Sequence, residues 1–190
     1  MSKTYDIIYM DPPWWYAGQT QTGSAKKPTS AAKDHYPTMT DKELRELDVL
    51  SLANDDCLIY MWTSSPHLSQ AISLGEHWGF EYKTIAFCWD KVMVNPGFYT
   101  LSQVEVCIVF KKKGGKIPQP RGVRNAKQFL SEKRREHSRK PDEIRRRIEA
   151  MHPTQSKLEM FARVAPEGWD VWGNQTDKFE ELVDNKLFDI

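Results

Sequence analysis

The chain has 190 residues, 28% charged and 39% hydrophobic, with a formal net charge of +1, which suits one domain with a single sizeable core and is short for two. No apolar run approaches the roughly 20 residues needed to cross a bilayer, the first residues lead straight into a strand with no room for a signal peptide, and Cys57, Cys88 and Cys107 are odd in number and unclustered with each other or with histidine. A membrane span, a disulfide framework and a zinc site are thus not expected; a cytoplasmic protein with buried, reduced thiols and no metal is.

The first predicted strand is Tyr5-Asp6-Ile7-Ile8-Tyr9-Met10, followed directly by Asp11-Pro12-Pro13-Trp14. Two prolines hold φ near −65° and cannot donate to a sheet partner, so this tetrapeptide is a stiff loop at a strand's carboxyl end. In open α/β sheets that edge is where ligands bind. One reading is an ordinary turn, with Asp11 bonded to nearby backbone and Trp14 in the core. The other is a clamp for a planar amino group, in which the Asp11 carboxylate and the Pro12 carbonyl accept both hydrogens and Trp14 covers the ring face. The tetrapeptide alone leaves both open.

Residues 15 to 39 show little apolar periodicity and make a long loop of a kind that tends to be functional or disordered. Thr40-Asp41-Lys42-Glu43 is a capping box that opens a short helix with Leu44 and Leu47 on its apolar side. Cys57 to Trp62 reads as a buried strand. Ser65 as N-cap and Pro66 at the first helical position open a second helix, with Leu68, Ile72 and Trp78 at helical spacing and Gly79 just past its end. A strand centred on Thr84 to Trp89 and another over Val104 to Phe110 have only the turn-forming Asn95-Pro96-Gly97 and no helix between them, so they are expected to pair antiparallel. Pro141 starts a helix with Asp142 and Glu143 in its first turn and Ile144, Ile148 and Met151 as its buried stripe. Strands near Leu158 to Ala162 and Trp169 to Trp172 close the pattern. Such alternation predicts a doubly wound, mostly parallel α/β sheet with helices on both faces and an antiparallel pair at one edge. Neither a dinucleotide fingerprint nor a P-loop occurs.

The small net charge hides an asymmetry. From Lys111 to Arg147 there are 15 Lys/Arg against 4 Asp/Glu, a local excess of 11 that leaves the remaining chain ten charges negative. A solvated face is the common meaning of a charge run. Here Arg121, Arg124, Lys127, Lys133, Arg134 and Arg135 have few acidic neighbours, which favours a polyphosphate partner. The prolines and glycines of its first half predict a mobile excursion over 111 to 138 rather than a packed element.

Four further pieces follow Asp11-Pro12-Pro13-Trp14 in order: Glu136 to Ile144 (EHSRKPDEI), Lys157 to Arg163 (KLEMFAR), Gly168-Trp169-Asp170-Val171-Trp172, and Gly173-Asn174-Gln175. Together they resemble the MT-A70 family of adenine N6 methyltransferases, over residues 5 to about 178. The resemblance implies a Rossmann-like methyltransferase sheet that binds S-adenosyl-L-methionine, with the Asp-Pro-Pro-Trp loop holding the target adenine. Carried over by motif, Asp11 lies next to the cofactor, Ser138 and Lys140 belong to the stretch that approaches its methionine carboxylate, and Arg163 contacts its ribose region. Glu159 matches the acidic residue before that arginine and would orient it, while Asn174 and Gln175 read the ribose and adenine. Where some relatives carry His-Asn after the arginine, this chain has Ala165-Pro166.

A duplex hides adenine N6 in its stack, so the base must be flipped or single-stranded, with Trp14, Trp15 and Tyr16 as stacking plates. Lys91, Tyr99 and Arg135 are candidate strand contacts. Asp11, Pro12, Pro13 and Trp14 are the candidate catalytic set. The expected reaction is methyl transfer to adenine N6, with DNA favoured over RNA because a small single-domain version suits DNA modification in a bacterium or phage. Rival readings are a nonenzymatic nucleic-acid-binding scaffold that supports a catalytic partner, and methylation of cytosine N4 or a protein amide by the same clamp. With no room for a separate recognition domain, target specificity falls to the loop at 15 to 39, the basic excursion, or a homodimer or paired subunit.

Overall fold

The structure is a computed structural model and describes residues 3–14, 38–96, 99–135 and 139–173. Residues 15–37 of the predicted long loop lie outside the described residues.

Strand β1 (Tyr5–Met10) runs through the middle of a seven-stranded sheet. Its side chains alternate between two cores: Ile8 and Met10 point to one, Ile7 and Tyr9 to the other. A strand buried on both faces is what a nearly continuous apolar run predicts. Its one charge, Asp6, sits at the amino end, where it accepts from Asn54 Nδ2 at 2.7 Å and from Ser156 N and Oγ at 2.9 Å each.

After β1 come helix α1 (Asp41–Arg45), strand β2 (Ala53–Ser64), helix α2 (Leu68–His77), strands β3 (Phe80–Asn95), β4 (Ser102–Lys112) and β5 (Phe129–Ser131), helix α3 (Asp142–Met151), and strands β6 (Lys157–Met160) and β7 (Asp170–Trp172). The sheet order is β5-β3-β4-β2-β1-β6-β7. β4 alone runs against the others, antiparallel to both β2 and β3, and the remaining pairings are parallel. The expected antiparallel pair is therefore β3 with β4, and the short β5 is added outside it. Helices α1 and α2 cover one face, where Leu44, Ala71 and Leu74 meet Ile59, Met61 and Phe110. On the opposite face α3 packs Ile144 and Ile148 against Tyr60, Trp62 and Cys107. β1 thus pairs with β2 on one side and β6 on the other, and such a reversal of winding opens a crevice at the strands' carboxyl ends.

The capping box forms as predicted: Glu43 N donates to Thr40 Oγ1 at 3.3 Å and Thr40 N to Glu43 Oε2 at 2.7 Å. The second helix begins with a short 3-10 turn, Ser65–His67, capped by Ser64 instead of Ser65. Its buried stripe is Ala71, Leu74 and Gly75, with Leu68 and Ile72 at the margins. Gly75 belongs there because a Cβ on it would lie 2.3 Å from the ring of Phe110, itself fully buried. Gly75→Ala is expected to lower stability by about 1–3 kcal/mol in urea unfolding despite alanine's higher helix propensity, since overpacking outweighs that gain.

The basic stretch holds more regular structure than its prolines and glycines predict. Gly122 N and Val123 N donate to Met151 O and Ala150 O at 2.9 and 2.8 Å, Gln155 Nε2 donates to Pro120 O at 3.0 Å, and β5 pairs with β3. These residues shape a path along the end of α3 that a local composition cannot reveal, because its partners are 25 or more residues away in the chain for most of these contacts. Cys57 and Cys107 are buried and Cys88 half-buried, all as free thiols, with burial pushing the Cys57 thiol up to about 12. Among the described residues, no helix is long and apolar enough to cross a membrane.

Candidate active site

Asp11 leaves the carboxyl end of β1 into the crevice between β2 and β6. Pro13 forms the centre of a tight turn in which Trp14 N donates to Pro12 O at 2.8 Å, and Pro13 O accepts from Met39 N at 2.9 Å. Proline's fixed φ suits that turn. The turn sets the direction of the Pro12 carbonyl.

The Asp11 carboxylate meets the ammonium of Lys140, just before α3, at 3.0 Å. Lys140 also bonds Glu105 on β4 at 2.9 Å, and Glu105 in turn bonds Lys91 on β3 at 3.2 Å. The Trp62 ring lies 5.6 Å from Lys140 Nζ, an added cation–π contact. A line of alternating charges therefore crosses the carboxyl edge of the sheet. Burial raises the Asp11 carboxyl above its ordinary value while Lys140 opposes it. Burial acts the same way on Glu105, but two lysines outweigh it and hold that carboxyl down to about 2. Lys140, between two carboxylates, is held firmly protonated against its own burial. Two of its three N–H donors are committed, and one remains for a ligand.

Beside this line lies an open cleft lined by Tyr9, Asp11, Arg139, Lys140, Asp142, Arg145, Glu159, Met160, Phe161, Arg163 and Val164. Glu159 Oε2 lies 3.4 Å from Arg145 Nε, yet both atoms are buried with no hydrogen bond. Burial pushes the Glu159 carboxyl up to about 7, against the pull of Arg145. Phe161 adopts a left-handed backbone, φ 59°, strained for an aromatic residue, and packs edge-on to Trp172 at 5.3 Å. A Cβ on Gly173 would come 2.6 Å from Ala162 O, so the end of β7 approaches this turn as only glycine allows.

Several expected sites are brought together. Asp11, Lys140, Glu159 and Arg163 all line this cleft, while Pro12 and Pro13 follow Asp11 in the chain and are not among its lining residues. Others are placed differently. Trp14 is not an open stacking plate: it is 4% exposed, stacks on His67 at 5.8 Å and donates through Nε1 to Trp62 O at 3.4 Å. The tight turn at Pro13 directs its indole into the core on the α2 side, where burial of so large a ring is favourable. Lys91 is not a surface strand contact either; it is buried, and its charge is matched by Glu105. An ion pair of Glu159 runs to Arg145 on α3 at 3.4 Å. Arg135 bonds Asp142 at 2.8 Å and the Lys140 carbonyl at 3.4 Å, bracing the Lys140 segment. Tyr99 is fully exposed beside the β3–β4 turn. Trp15, Tyr16, Ser138, Asn174 and Gln175 lie outside the described residues.

Glu105, Arg145 and Phe161 were not singled out from the sequence. A carboxylate interrupting the β-branched run Val104 to Phe110 is the signal that marks Glu105, since strand interiors rarely hold an unpaired charge.

The family model described as MT-A70 matches residues 5–175. The chain is 47% identical to "Type II methyltransferase M.MunI" of Mycoplasma sp over a 196-residue alignment that covers 97% of this chain and 81% of that protein. It is 30% identical to the Arabidopsis thaliana "N(6)-adenosine-methyltransferase MT-A70-like", covering 90% of this chain and 24% of that protein. Against the Mus musculus "N(6)-adenine-specific methyltransferase METTL4" the identity is 26%, covering 95% and 39%. With the clamp loop, the buried lysine and the cleft assembled at one sheet edge, and with the match running from β1 past β7, this chain belongs to the MT-A70 family.

Proposed function

We propose that the chain is a single catalytic domain that transfers a methyl group from S-adenosyl-L-methionine to N6 of adenine in DNA. One observation carries this reading: the Asp11 carboxylate, braced by Lys140 at 3.0 Å, lines the cleft directly before the Pro12-Pro13 turn. DNA is favoured by the likeness to the Type II methyltransferase, most of whose length the chain spans, over the adenosine-methyltransferases, of which it spans about a quarter.

The cleft fits the cofactor. It offers Asp11, Asp142 and Glu159 to a sulfonium cation and Lys140 to a carboxylate. The cofactor supplies an electrophilic methyl group on sulfur.

Adenine N6 is a weak nucleophile because its lone pair is delocalised into the ring. Asp11 and the Pro12 carbonyl accept its two hydrogens, draw the nitrogen toward tetrahedral geometry and aim the lone pair at the methyl carbon. A C–N bond forms as the C–S bond breaks, and N6 then sheds one proton. Asp11 need not be a strong base. Lys140 opposes the burial that raises the Asp11 carboxyl and holds it in place at 3.0 Å, so the acceptor is positioned before the base arrives. Segments 15–39 and 111–138, together with a second copy or paired subunit, would supply target recognition.

Incubating the protein with methyl-labelled cofactor and matched DNA and RNA of the same sequence tests this. Label in DNA, recovered as N6-methyladenine, is the expected result. Label confined to RNA would reassign the substrate, and label in cytosine would reassign the base.

A further inference from the structure

The β3–β4 hairpin ends in side chains that a folded domain ordinarily hides. Lys91 is buried, but the next three residues, Val92, Met93 and Val94, are all exposed, as is Leu101 across the turn, each between 42% and 65%. A regular strand turns successive side chains to opposite faces, so three in a row cannot all face solvent. Here the pairing slips between Asp90 and Asn95, and Val92 takes a left-handed backbone, φ 60°, unfavourable for a β-branched residue. Asp90 holds that conformation: its carboxylate accepts from Val92 N at 2.8 Å, Gln103 Nε2 at 2.6 Å and Ser131 Oγ at 2.9 Å. The apolar tip is thus braced from both flanking strands. Contiguous exposed apolar side chains of this kind mark a contact surface.

Two features say what it contacts. Arg134 N donates to Lys91 O at 3.4 Å, which sets the exposed Lys133 and Arg134 beside the tip, where they can flank it with positive charge. Phosphates beside an inserted apolar wedge match that arrangement. The tip also stands next to the chemistry, because Lys91, the residue before Val92, ends the charge line that runs through Glu105 and Lys140 to Asp11.

We propose that this hairpin tip is a wedge that enters duplex DNA at the target adenine, fills the gap in the stack and holds the base out toward Asp11. The inference rests on the DNA reading above. A base already unstacked has no need of a wedge, so the tip contributes to transfer on duplex DNA and not on single strands.

The double variant Met93→Ser, Leu101→Ser tests it, with native and heat-denatured samples of one DNA as substrates. Both side chains are exposed, so an unchanged thermal melting curve is expected. Transfer to native DNA is expected to fall at least tenfold, and transfer to denatured DNA less than twofold. In topoisomerase-relaxed plasmid, wild-type protein should shift the topoisomer distribution and the variant should not. Equal losses on both substrates, no loss on native DNA, or an identical topoisomer shift overturns the wedge. A loss accompanied by a change from dimer to monomer in sedimentation also overturns it and assigns the tip to a second copy of the chain. Wild-type protein that labels neither form of DNA overturns the substrate reading itself.

Discussion

Asp11→Ala is expected to lower kcat on nucleic acid by about 10³-fold while S-adenosylmethionine binding, followed by calorimetry, changes only a few-fold. The magnitude is that of losing one preorganised polar group aimed at developing charge. Asp11 orients the amino group that reacts, so its loss acts on the transfer step. The cleft keeps Lys140, Glu159, Arg145 and Arg163, which the proposed reading gives to the cofactor. Lys140 also keeps Glu105 as a partner at 2.9 Å, so the variant does not strand a buried ammonium. Asp11→Asn is the sharper comparison: it retains one acceptor oxygen and the shape of the loop, and it should recover part of the loss. Undiminished turnover in the alanine variant would remove Asp11 from the mechanism.

Glu105→Ala is expected to act differently, through the fold. It removes the carboxylate shared by Lys91 and Lys140, and breaking a buried pair by deleting one partner costs about 3–5 kcal/mol. Urea unfolding measures this directly. The same carboxylate predicts an acid limb. Its folded value is about 2 against an ordinary 4.5, so it contributes stability that is fully present above pH 4.5 and lost as pH falls through about 2. The size is about 3 kcal/mol. Unfolding midpoints followed from pH 6 to pH 3 should decline in the wild type, and Glu105→Gln should flatten that decline. A wild-type profile that matches the glutamine variant throughout would show that the lysines do not hold Glu105 ionised.

The architecture was largely legible from the chain. Apolar periodicity marked β1, β2 and the helices, the capping box at Thr40 marked α1, and the missing helix between Thr84 to Trp89 and Val104 to Phe110 marked their antiparallel pairing. Local signals suffice there because each element's pattern states which side of it is dry. The stiff turn after β1 was legible for the same reason: Asp11-Pro12-Pro13 is one contiguous piece whose rigidity follows from proline. Trp14 was not, since the tetrapeptide fits a core residue and a stacking plate equally well. Lys91 was read as a strand contact because it looks like a surface cation in its own segment; its carboxylate partner, Glu105, lies across a β hairpin.

The order of elements, the rigid acceptor loop after β1 and the basic character of 111 to 147 are properties of the chain as written, because proline geometry, hydrophobic period and formal charge need no neighbours to be defined. Which charges are spent on each other was decided only by folding. Asp11, Lys91, Glu105 and Lys140 come from four separate segments, and it is their approach to within 3.2 Å in a buried place that makes one an acceptor, two its support and the fourth a counter-charge. Coulomb attraction and desolvation both depend steeply on distance and burial, and neither quantity exists until the sheet has brought those strands side by side.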